Sequence, residues 1–294
     1  MSKTTLRAWA ELLRLPALFT VPGDALVGAA AVGARPGRGT LLAIGSSVCL
    51  YEAGMALNDW ADRAEDAVDR PHRPIPSGRI RPGTALAAAG LLTAAGVGLA
   101  ARAGRVPAAI STALAATVWA YDLGLKRTPA GPVAMGAARG LDVLLGAGAS
   151  HRDGAKPLPS ATGAALTMTV HTTAVTAVSR HETTGGNALA PTAALVTTAT
   201  LTSALLRTPV GRGAAAPLGL PGPTAYAVTA ARPLLHAALN PSPPLTQCAV
   251  GAGIRAMIPL QAALAARAGA PATALLTAAL APLARRFAKK VSVT

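Results

Sequence analysis

Residues 58–80 decide the fold of this chain and have the sequence NDWADRAEDAVDRPHRPIPSGRI. The stretch places five acidic side chains and four arginines between two long apolar segments. Asn58, Asp59, Asp62 and Asp66 recur at helical spacing, so on a helix they share a face and direct their oxygens toward a common point. Oxygen ligands suit Mg²⁺, which usually takes further oxygens from a substrate phosphate. The stretch therefore predicts half of a site for Mg²⁺ and a diphosphate.

The composition indicates a membrane protein. Hydrophobic residues make up 51% of the chain and charged residues 13%, whereas soluble domains carry about 25% charged residues. The net charge of +15 would suggest nucleic acid in a soluble protein, but here the basic residues lie mainly between apolar runs. In such places they set the topology and contact anionic lipid. We therefore expect membrane lipids as partners, and no nucleic acid.

Nine apolar runs organise a single domain, predicted to cover residues 1–294. Each run approaches the roughly 20 residues needed to cross a bilayer, and its small side chains allow close helix packing in lipid. The first run is predicted to be an uncleaved helix rather than a signal peptide, because Pro22 and Asp24 interrupt it. The region of residues 221–244 suits an interfacial piece, but residues 225–239 could also form a tenth span. The nine predicted spans are residues 15–34, 39–57, 84–102, 106–122, 131–150, 160–178, 188–206, 246–266 and 270–287.

The basic residues favour an orientation with the N-terminus in the cytoplasm. This orientation places residues 58–80 inside the cell together with several other basic sites, in accordance with the positive-inside rule. A nine-span chain leaves a basic C-terminal tail outside, against that rule, whereas ten spans bring the tail inside. The sequence leaves this count open. The tail contains Arg285, Arg286, Lys289 and Lys290.

Three polar clusters fall at the same predicted membrane face. They follow the second, fourth and sixth apolar runs and alternate with plain apolar connections. Because ionisable groups are costly in lipid, such a grouping favours a shared polar cavity. The first cluster is residues 58–80, the second is Tyr121, Asp122 and Lys126, and the third is Arg180, His181 and Glu182.

The pattern Asn58-Asp59-x-x-Asp62-x-x-x-Asp66 resembles the first aspartate-rich motif of the UbiA superfamily of intramembrane prenyltransferases. The resemblance implies an all-α, polytopic membrane bundle of about nine transmembrane helices with a central cavity. It also implies that two acidic motifs on cytoplasmic loops hold Mg²⁺ and a prenyl diphosphate. The site would then lie on the cytoplasmic side of a multi-pass protein of the cell membrane.

Two further elements are similar to that family. Residues 70–78, RPHRPIPSG, resemble the run that follows the first motif, and Tyr121-x-x-x-x-Lys126 resembles a tyrosine and lysine element after the fourth helix. Arginine binds phosphate oxygens in a bidentate manner and lysine binds them as a point charge. Arg70, Arg73 and Lys126 are therefore predicted to stabilise the leaving diphosphate.

The second acidic motif departs from the family pattern. Residues 179–186 have the sequence SRHETTGG, in which only Glu182 is a carboxylate. His181 does not suit Mg²⁺, because imidazole prefers softer metals. A second metal ion is therefore expected to bind weakly or not at all. This feature resembles the divergent EboC-like branch of the superfamily.

The resemblance implies a set of site residues. The expected substrate contacts are Asn58, Arg70, Arg73, Tyr121, Lys126 and Arg180. The expected metal ligands are Asn58, Asp59, Asp62, Asp66 and Glu182.

Other polar or aromatic residues are interpreted without a direct role in metal binding. Glu65 and Asp69 lie off the motif face and are predicted to be surface charges. Arg139 and Asp142 are expected to form a mutual ion pair, since they are three residues apart on one helix. Asp24 and Glu52 lie deep enough in the predicted spans to need polar partners. His171 is interpreted as a structural residue. Trp119 and Tyr121 are expected to shield a carbocation.

Two functions follow from these residues. The first is Mg²⁺-dependent transfer of a prenyl group from a prenyl diphosphate to an aromatic or other lipophilic acceptor within the membrane. The alternative is a non-catalytic protein of the same fold that binds or moves a lipid-linked or diphosphate-bearing compound. The intact first motif favours the enzyme, and the reduced second motif favours the alternative.

Overall fold

The computed structural model describes residues 3–151, 154–207 and 221–291. This part of the chain forms α-helices and three short 3₁₀ helices, Leu15–Thr20, Leu125–Arg127 and Leu158–Ala161, and contains no strand. The α-helices are α1 (Lys3–Leu12), α2 (Val21–Ala31), α3 (Arg38–Ala61), α4 (Arg63–Asp69), α5 (Pro82–Ala101), α6 (Arg105–Leu123), α7 (Gly131–Ser150), α8 (Thr162–Ser179), α9 (Leu189–Arg207), α10 (Pro221–Leu239), α11 (Pro243–Arg267) and α12 (Pro271–Val291).

Five helices are long and apolar enough to cross a membrane. They are α3, α5, α6, α9 and α11, and Leu18–Ala31 and Pro271–Leu283 form shorter apolar helices. Consecutive long helices pack side by side, as in the pairs α7 with α8 and α10 with α11. The prediction of an all-α, polytopic membrane fold is confirmed.

The ambiguous stretch near residue 230 forms helix α10, which packs between α9 and α11. Just after α10, the carbonyl of Pro241 accepts a hydrogen bond of 2.7 Å from the backbone N–H of Gly186, in the turn that follows α8. The end of α10 therefore lies at the same face as the end of α8. Because α12 packs against α11 after a short turn, the last helix runs back toward this face.

Helix α2 is enclosed by its neighbours because two glycines allow its backbone to touch that of α7. A Cβ atom on Gly28 would lie 2.1 Å from the carbonyl oxygen of Val143, and one on Gly146 would lie 2.4 Å from the Cα of Ala25. Small residues give this kind of close approach in membrane helices. The contact fixes α2 against α7 in the middle of the bundle.

A polar cluster beside this crossing corrects one prediction. Arg139 Nη1 lies 2.6 Å from Asp24 Oδ2, and Asp24 Oδ1 accepts a 2.8 Å hydrogen bond from Gln261. Asp142 instead accepts a hydrogen bond from the hydroxyl of Ser47. The predicted Arg139–Asp142 ion pair is wrong, because the Arg139 guanidinium pairs with Asp24 on α2 instead.

Two other buried polar residues have contrasting surroundings. His171 lies 3.0 Å from the Tyr226 hydroxyl and 3.1 Å from the carbonyl oxygen of Gly253, which links α8, α10 and α11. This agrees with its interpretation as a structural residue. Glu52 is 5% exposed, and neither carboxylate oxygen has a hydrogen-bond partner among the described residues.

Candidate functional site

The acidic motif crosses a break between two helices. Helix α3 ends at Ala61, α4 begins at Arg63, and Asp62 lies between them. Helical hydrogen bonds continue across the break, because the Asp62 N–H donates to the Asn58 carbonyl (2.9 Å) and the Asp66 N–H donates to the Asp62 carbonyl (2.8 Å). The four motif side chains therefore keep nearly the spacing of one continuous helix.

Asp59 and Asp66 share an arginine from the following loop. Arg73 Nη1 lies 2.7 Å from Asp66 Oδ2 and 3.4 Å from Asp59 Oδ1. Arg14 approaches Asp59 to 3.0 Å, and Arg70 approaches Asp66 to 3.8 Å. Both carboxylates are buried, at 4% and 3% exposure. Unpaired buried carboxylates would be costly, so these arginines compensate the charge of the two aspartates.

The third aspartate of the motif pairs with a different loop. Asp62 Oδ1 lies 2.6 Å from Lys126 Nζ and 3.3 Å from Arg127 Nη2. Lys126 belongs to the 3₁₀ helix that follows α6, and its side chain is only 11% exposed. This pair brings the second polar cluster against the first, as the sequence predicted.

Asn58 has a different partner from the aspartates. Its amide nitrogen donates a 2.9 Å hydrogen bond to Asp122 Oδ1 on α6. Asp122 is 4% exposed and was not among the predicted site residues. Its position next to Tyr121, in the tyrosine and lysine element, is the sequence signal that indicates it. Asn58 thus orders α6 against α3 in this structure.

A polar cavity of about 240 Å³ opens beside α4. One wall contains four carboxylates of the first motif region, and the other contains the turn after α8, including Glu182. The predicted polar cavity is therefore present, with Glu182 opposite the first motif. The lining residues are Asp62, Glu65, Asp66, Asp69, Arg70, Ser179, Glu182 and Thr183.

Glu65 and Asp69 are exposed, as the sequence interpretation predicted, and they also line the cavity. They are four residues apart on α4, as are Asp62 and Asp66, and two such pairs form neighbouring stripes on a helix. The pair Glu65 and Asp69, which is not part of the motif, is the sequence feature that indicates further carboxylates on this side of α4. The cavity wall contributed by α4 is thus more acidic than the motif predicts.

The third polar cluster is anchored to its neighbours by side chains. Arg180 donates a hydrogen bond to the carbonyl of Thr128, and Gln247 donates one of 3.1 Å to the carbonyl of Glu182. All three predicted clusters therefore meet at one end of the bundle. Arg180 does not line the cavity in this arrangement, because its guanidinium is directed to the Thr128 carbonyl.

The predicted aromatic pair is divided between two environments. Trp119 Nε1 donates a 3.0 Å hydrogen bond to Thr93 on α5, and its ring packs with the apolar cluster of Leu86. This corrects its expected place beside a carbocation. Tyr121 is half-buried and close enough to Asp62 to interact with it electrostatically.

The loop of residues 70–81 is tied to α1. Arg79 donates two hydrogen bonds to the carboxylate of Glu11, of 2.7 and 3.1 Å, and these bonds raise the pKa of Arg79 above its ordinary value. The loop that carries Arg70 and Arg73 is therefore held from both sides, by α1 and by the acidic motif.

The oxygen-rich cavity fits Mg²⁺. Within the described ranges, no three His, Cys, Asp or Glu side chains are close enough together to hold one ion between them. Mg²⁺ commonly binds through only one or two carboxylates and takes its remaining oxygens from water and phosphate. Carboxylates on two facing walls, such as Asp66 and Glu182, match that requirement.

Comparison with known proteins identifies a family and a fold. Residues 17–240 match the UbiA prenyltransferase family. The digeranylgeranylglyceryl phosphate synthase of Methanopyrus kandleri is 37% identical over 124 residues, which cover 42% of this chain and 46% of that protein. The chain thus matches less than half the length of this curated relative.

Solved structures share the fold at lower identity. The apo UbiA homolog from Aeropyrum pernix K1 has a TM-score of 0.66 at 19% identity, covering 81% of this chain and 94% of that one. The Archaeoglobus fulgidus homolog bound to GPP and Mg²⁺ has a TM-score of 0.62 at 16% identity, covering 92% and 99%. The family match covers most of the chain, and the acidic motif lies at the end of the helical bundle. The chain therefore belongs to the UbiA prenyltransferase family.

Proposed function

We propose that the protein transfers a prenyl group from a prenyl diphosphate to a lipophilic acceptor within the membrane, with Mg²⁺ as cofactor. The observation that carries this proposal is the cavity at the end of the bundle, in which five carboxylates face one space beside a dense set of cations. The structural neighbour bound to GPP and Mg²⁺ supports the substrate class and the metal.

Asp62, Asp66 and Glu182 would hold the metal, with Asp59 and Asn58 positioned behind them on α3. The metal supplies positive charge to the diphosphate while the allylic C–O bond breaks. Asp62 and Asp66 are pre-positioned for this role by the backbone bond between them, and Glu182 closes the cavity from the opposite wall. Glu65 and Asp69 make the same cavity attractive to cations.

Arg70, Arg73 and Lys126 would stabilise the departing diphosphate. Each now contacts an aspartate of the motif. On substrate binding, each cation would exchange a carboxylate for a phosphate oxygen, and the released carboxylates would serve the metal. Because internal pairs are replaced by new ones, no charge is left uncompensated at any stage. Tyr121 and Arg180 would approach the substrate from the α6 and α8 sides.

The prenyl tail would extend from the cavity between the apolar helices. Water is excluded there, so a prenyl cation survives until the acceptor attacks. The name of the Methanopyrus relative refers to a glyceryl phosphate carrying isoprenoid chains. A lipid of this kind is therefore a suitable acceptor to test, together with aromatic acceptors.

The carrier alternative rests on one observation. The turn after α8 contributes a single carboxylate, Glu182, to the cavity. The additional acids Glu65 and Asp69 on α4 offset this shortage, and for this reason we favour the enzyme. A carrier would bind prenyl diphosphate with Mg²⁺ but never release inorganic diphosphate.

We further propose that the site faces the cytoplasm. The positive-inside rule supports this orientation, because the site face and the C-terminal end of α12 carry more basic residues than the opposite face. The basic residues near the site face are Lys3, Arg7, Arg14, Arg63, Arg70, Arg73, Arg79, Arg81, Lys126, Arg127 and Arg180, together with Arg285, Arg286, Lys289 and Lys290 in the C-terminal part.

The deciding experiment measures diphosphate release by the purified protein in nanodiscs. Prenyl diphosphates of several chain lengths are supplied with Mg²⁺ and a panel of aromatic and isoprenoid glyceryl phosphate acceptors. We expect acceptor-dependent release that is lost in Asp66→Asn and kept in Glu11→Gln, whose carboxylate is outside the cavity and pairs with Arg79. Binding without release across the panel would establish the carrier.

A further inference from the structure

Another cavity lies on the outer surface of the described helices, and it shares no lining residue with the acidic cavity. It has a volume of about 310 Å³ and lies between α10 and α11. We call it the α10–α11 groove, and it is lined by Arg232, Pro233, His236, Leu245 and Cys248. Arg232, His236 and Cys248 are exposed. Since this side of α10 and α11 is covered by no other described helix, these residues face the lipid.

A third basic residue extends toward the same groove. Arg255 is exposed on α11, and its Nη1 would lie 3.2 Å from a Cβ atom on Gly251, one turn back along the helix. The guanidinium therefore points along α11 toward Cys248. Neither Arg232 nor Arg255 has a side-chain hydrogen bond or ion pair with any described residue.

The depth of these arginines makes unpaired charge costly. Arg255 is twelve residues from each end of α11, or about 18 Å at 1.5 Å per residue. Arg232 is seven residues from the end of α10, or about 10 Å. An exposed cation in the middle of a helix long and apolar enough to cross a membrane, such as α11, is expensive unless an anion accompanies it or it snorkels to the interface.

The chain offers these cations no anion of its own. Glu182 is the last acidic residue in the sequence, so the whole chain from α9 to the C-terminus contains no Asp or Glu. The acids of α2, α3, α6 and α7, namely Asp24, Glu52, Asp59, Asp122 and Asp142, are buried in the bundle. A second copy of the protein therefore presents no acidic group on its lipid-facing helices to complement the groove.

We propose that the α10–α11 groove is a binding site for an anionic phospholipid. Arg232 and His236, one turn apart on α10, contact the headgroup phosphate, and Arg255 approaches it from α11. Basic pockets between transmembrane helices are known to bind anionic headgroups. Leu245 and Pro233 supply an apolar wall for the upper part of an acyl chain. This site is separate from the proposed catalytic cavity.

The groove connects to the catalytic end through one contact. Gln247, adjacent to Cys248 on α11, donates its hydrogen bond to the carbonyl of Glu182. A lipid bound in the groove therefore lies beside the helix that supports the turn after α8. The lipid site is nevertheless tested by binding alone, so its failure does not depend on catalysis.

Cys248 provides a natural reporter of occupancy. In a Cys49→Ser background, the protein is placed in nanodiscs of phosphatidylglycerol or of phosphatidylcholine with the same acyl chains, and maleimide labelling of Cys248 is timed. We expect slower labelling in phosphatidylglycerol. The Arg232→Gln/Arg255→Gln variant should lose this difference, whereas Arg207→Gln, at the far end of α9, should keep it.

Native mass spectrometry measures the preference directly. Each arginine that contacts an anionic headgroup contributes about fivefold in lipid affinity, so the double variant should lose about 25-fold of the phosphatidylglycerol preference. The Arg232→Lys/Arg255→Lys variant, which retains the charge, should keep most of it and also shows that the helices still fold. Loss of equal size in Arg207→Gln would overturn the proposal.

Two other outcomes would also overturn it. If inorganic phosphate protects Cys248 in phosphatidylcholine nanodiscs as well as phosphatidylglycerol does, the groove binds free phosphate rather than lipid. If Cys248 forms a disulfide-linked dimer in membranes with high yield, a second copy covers the groove. Protection by phosphatidylglycerol alone, without cross-linking, supports the lipid site.

Discussion

Lys126 Nζ lies 2.6 Å from Asp62 Oδ1, so a residue predicted to bind the substrate holds a residue predicted to bind the metal. The contact is an ion pair without a well-aligned hydrogen bond, because Lys126 Nζ has no hydrogen-bond partner in the described structure. An ammonium group with unused N–H donors can donate hydrogen bonds to the oxygens of a bound phosphate. We therefore expect Lys126 to pair with Asp62 in the empty site and with the diphosphate when substrate is bound.

Replacing Lys126 by Met should weaken binding of a non-reactive prenyl diphosphate analogue in the presence of Mg²⁺. A hydrogen bond to a charged group contributes about 1.5–3 kcal/mol, so the loss should be about 10-fold to 100-fold. Arg127→Gln is the matched control, because Arg127 also contacts Asp62 but is 63% exposed. Its effect should stay within about threefold. Isothermal titration in detergent measures both, and equal losses would contradict a specific role for Lys126.

Arg73→Gln should lower stability in the absence of metal, and Mg²⁺ should restore much of it. The substitution leaves the buried carboxylates of Asp59 and Asp66 without their shared cation, a loss of about 3 kcal/mol. A divalent ion compensates the same charge, so the increase in thermal midpoint on adding Mg²⁺ should be larger in the variant than in the unmodified protein.

Arg79→Gln serves as the control for this experiment. Its partner Glu11 is 40% exposed, so the midpoint should fall only slightly and Mg²⁺ should restore nothing. Thermal unfolding with and without EDTA provides the readout. If Mg²⁺ stabilises all three proteins equally, the carboxylates paired with Arg73 are not part of the metal site.

A double-mutant cycle should locate the partner of Arg139 on α2. Arg139→Gln combined with Asp24→Asn should show a coupling energy of about 2 kcal/mol, because the two charges are buried and 2.6 Å apart. The cycle with Asp142→Asn should give a clearly smaller coupling. Unfolding in detergent measures both cycles. A larger coupling with Asp142 would restore the pairing predicted from the sequence.

Gly28→Ala should destabilise the bundle by about 2 kcal/mol, since its added methyl group meets the carbonyl oxygen of Val143. Gly98→Ala on α5 is the matched control, because a Cβ atom there meets nothing within 4 Å. Gly98→Ala should cause no loss of stability. Thermal unfolding gives the midpoint of each variant, and similar midpoints would mean that α2 and α7 are not in backbone contact.

Labelling should place α4 in the cytoplasm. Val68 is 82% exposed, and a Val68→Cys protein that lacks Cys49 and Cys248 should react with an impermeant maleimide in inside-out vesicles but not in intact cells. A tag after Thr294 should become accessible under the same conditions, because α12 ends at the same face. Labelling of position 68 from outside would reverse the proposed orientation.

The sequence predicted most of the helices because each apolar run is a local signal. Helix α10 was the exception, since Arg232 and Pro233 interrupt its apolar character. A proline in a helix removes one backbone hydrogen bond, and such a helix forms where neighbours support it. Here α9 and α11 pack on both sides of α10, and tertiary contacts of this kind are absent from any single stretch of sequence.

The site could be predicted to the level of clusters but not of side-chain partners. Helical spacing placed Asp59 and Asp66 together, and their shared Arg73 agrees with it. The partner of Asn58 is Asp122, far away in the sequence, and packing of α3 on α6 selects it. Local spacing assigned Glu65 to the surface, where it is indeed 62% exposed. Its place beside the cavity could not be predicted, because the turn after α8 approaches it only in the folded chain.

The crossing of α2 and α7 has a mechanical consequence. Where the backbones of Gly28 and Val143 touch, neither helix can slide or rotate without the other. The Arg139–Asp24 ion pair joins the same two helices and provides a second contact between them. The two helices therefore form a rigid unit at the centre of the bundle. Any movement that opens the acidic cavity to substrate must come from α4 and the turn after α8.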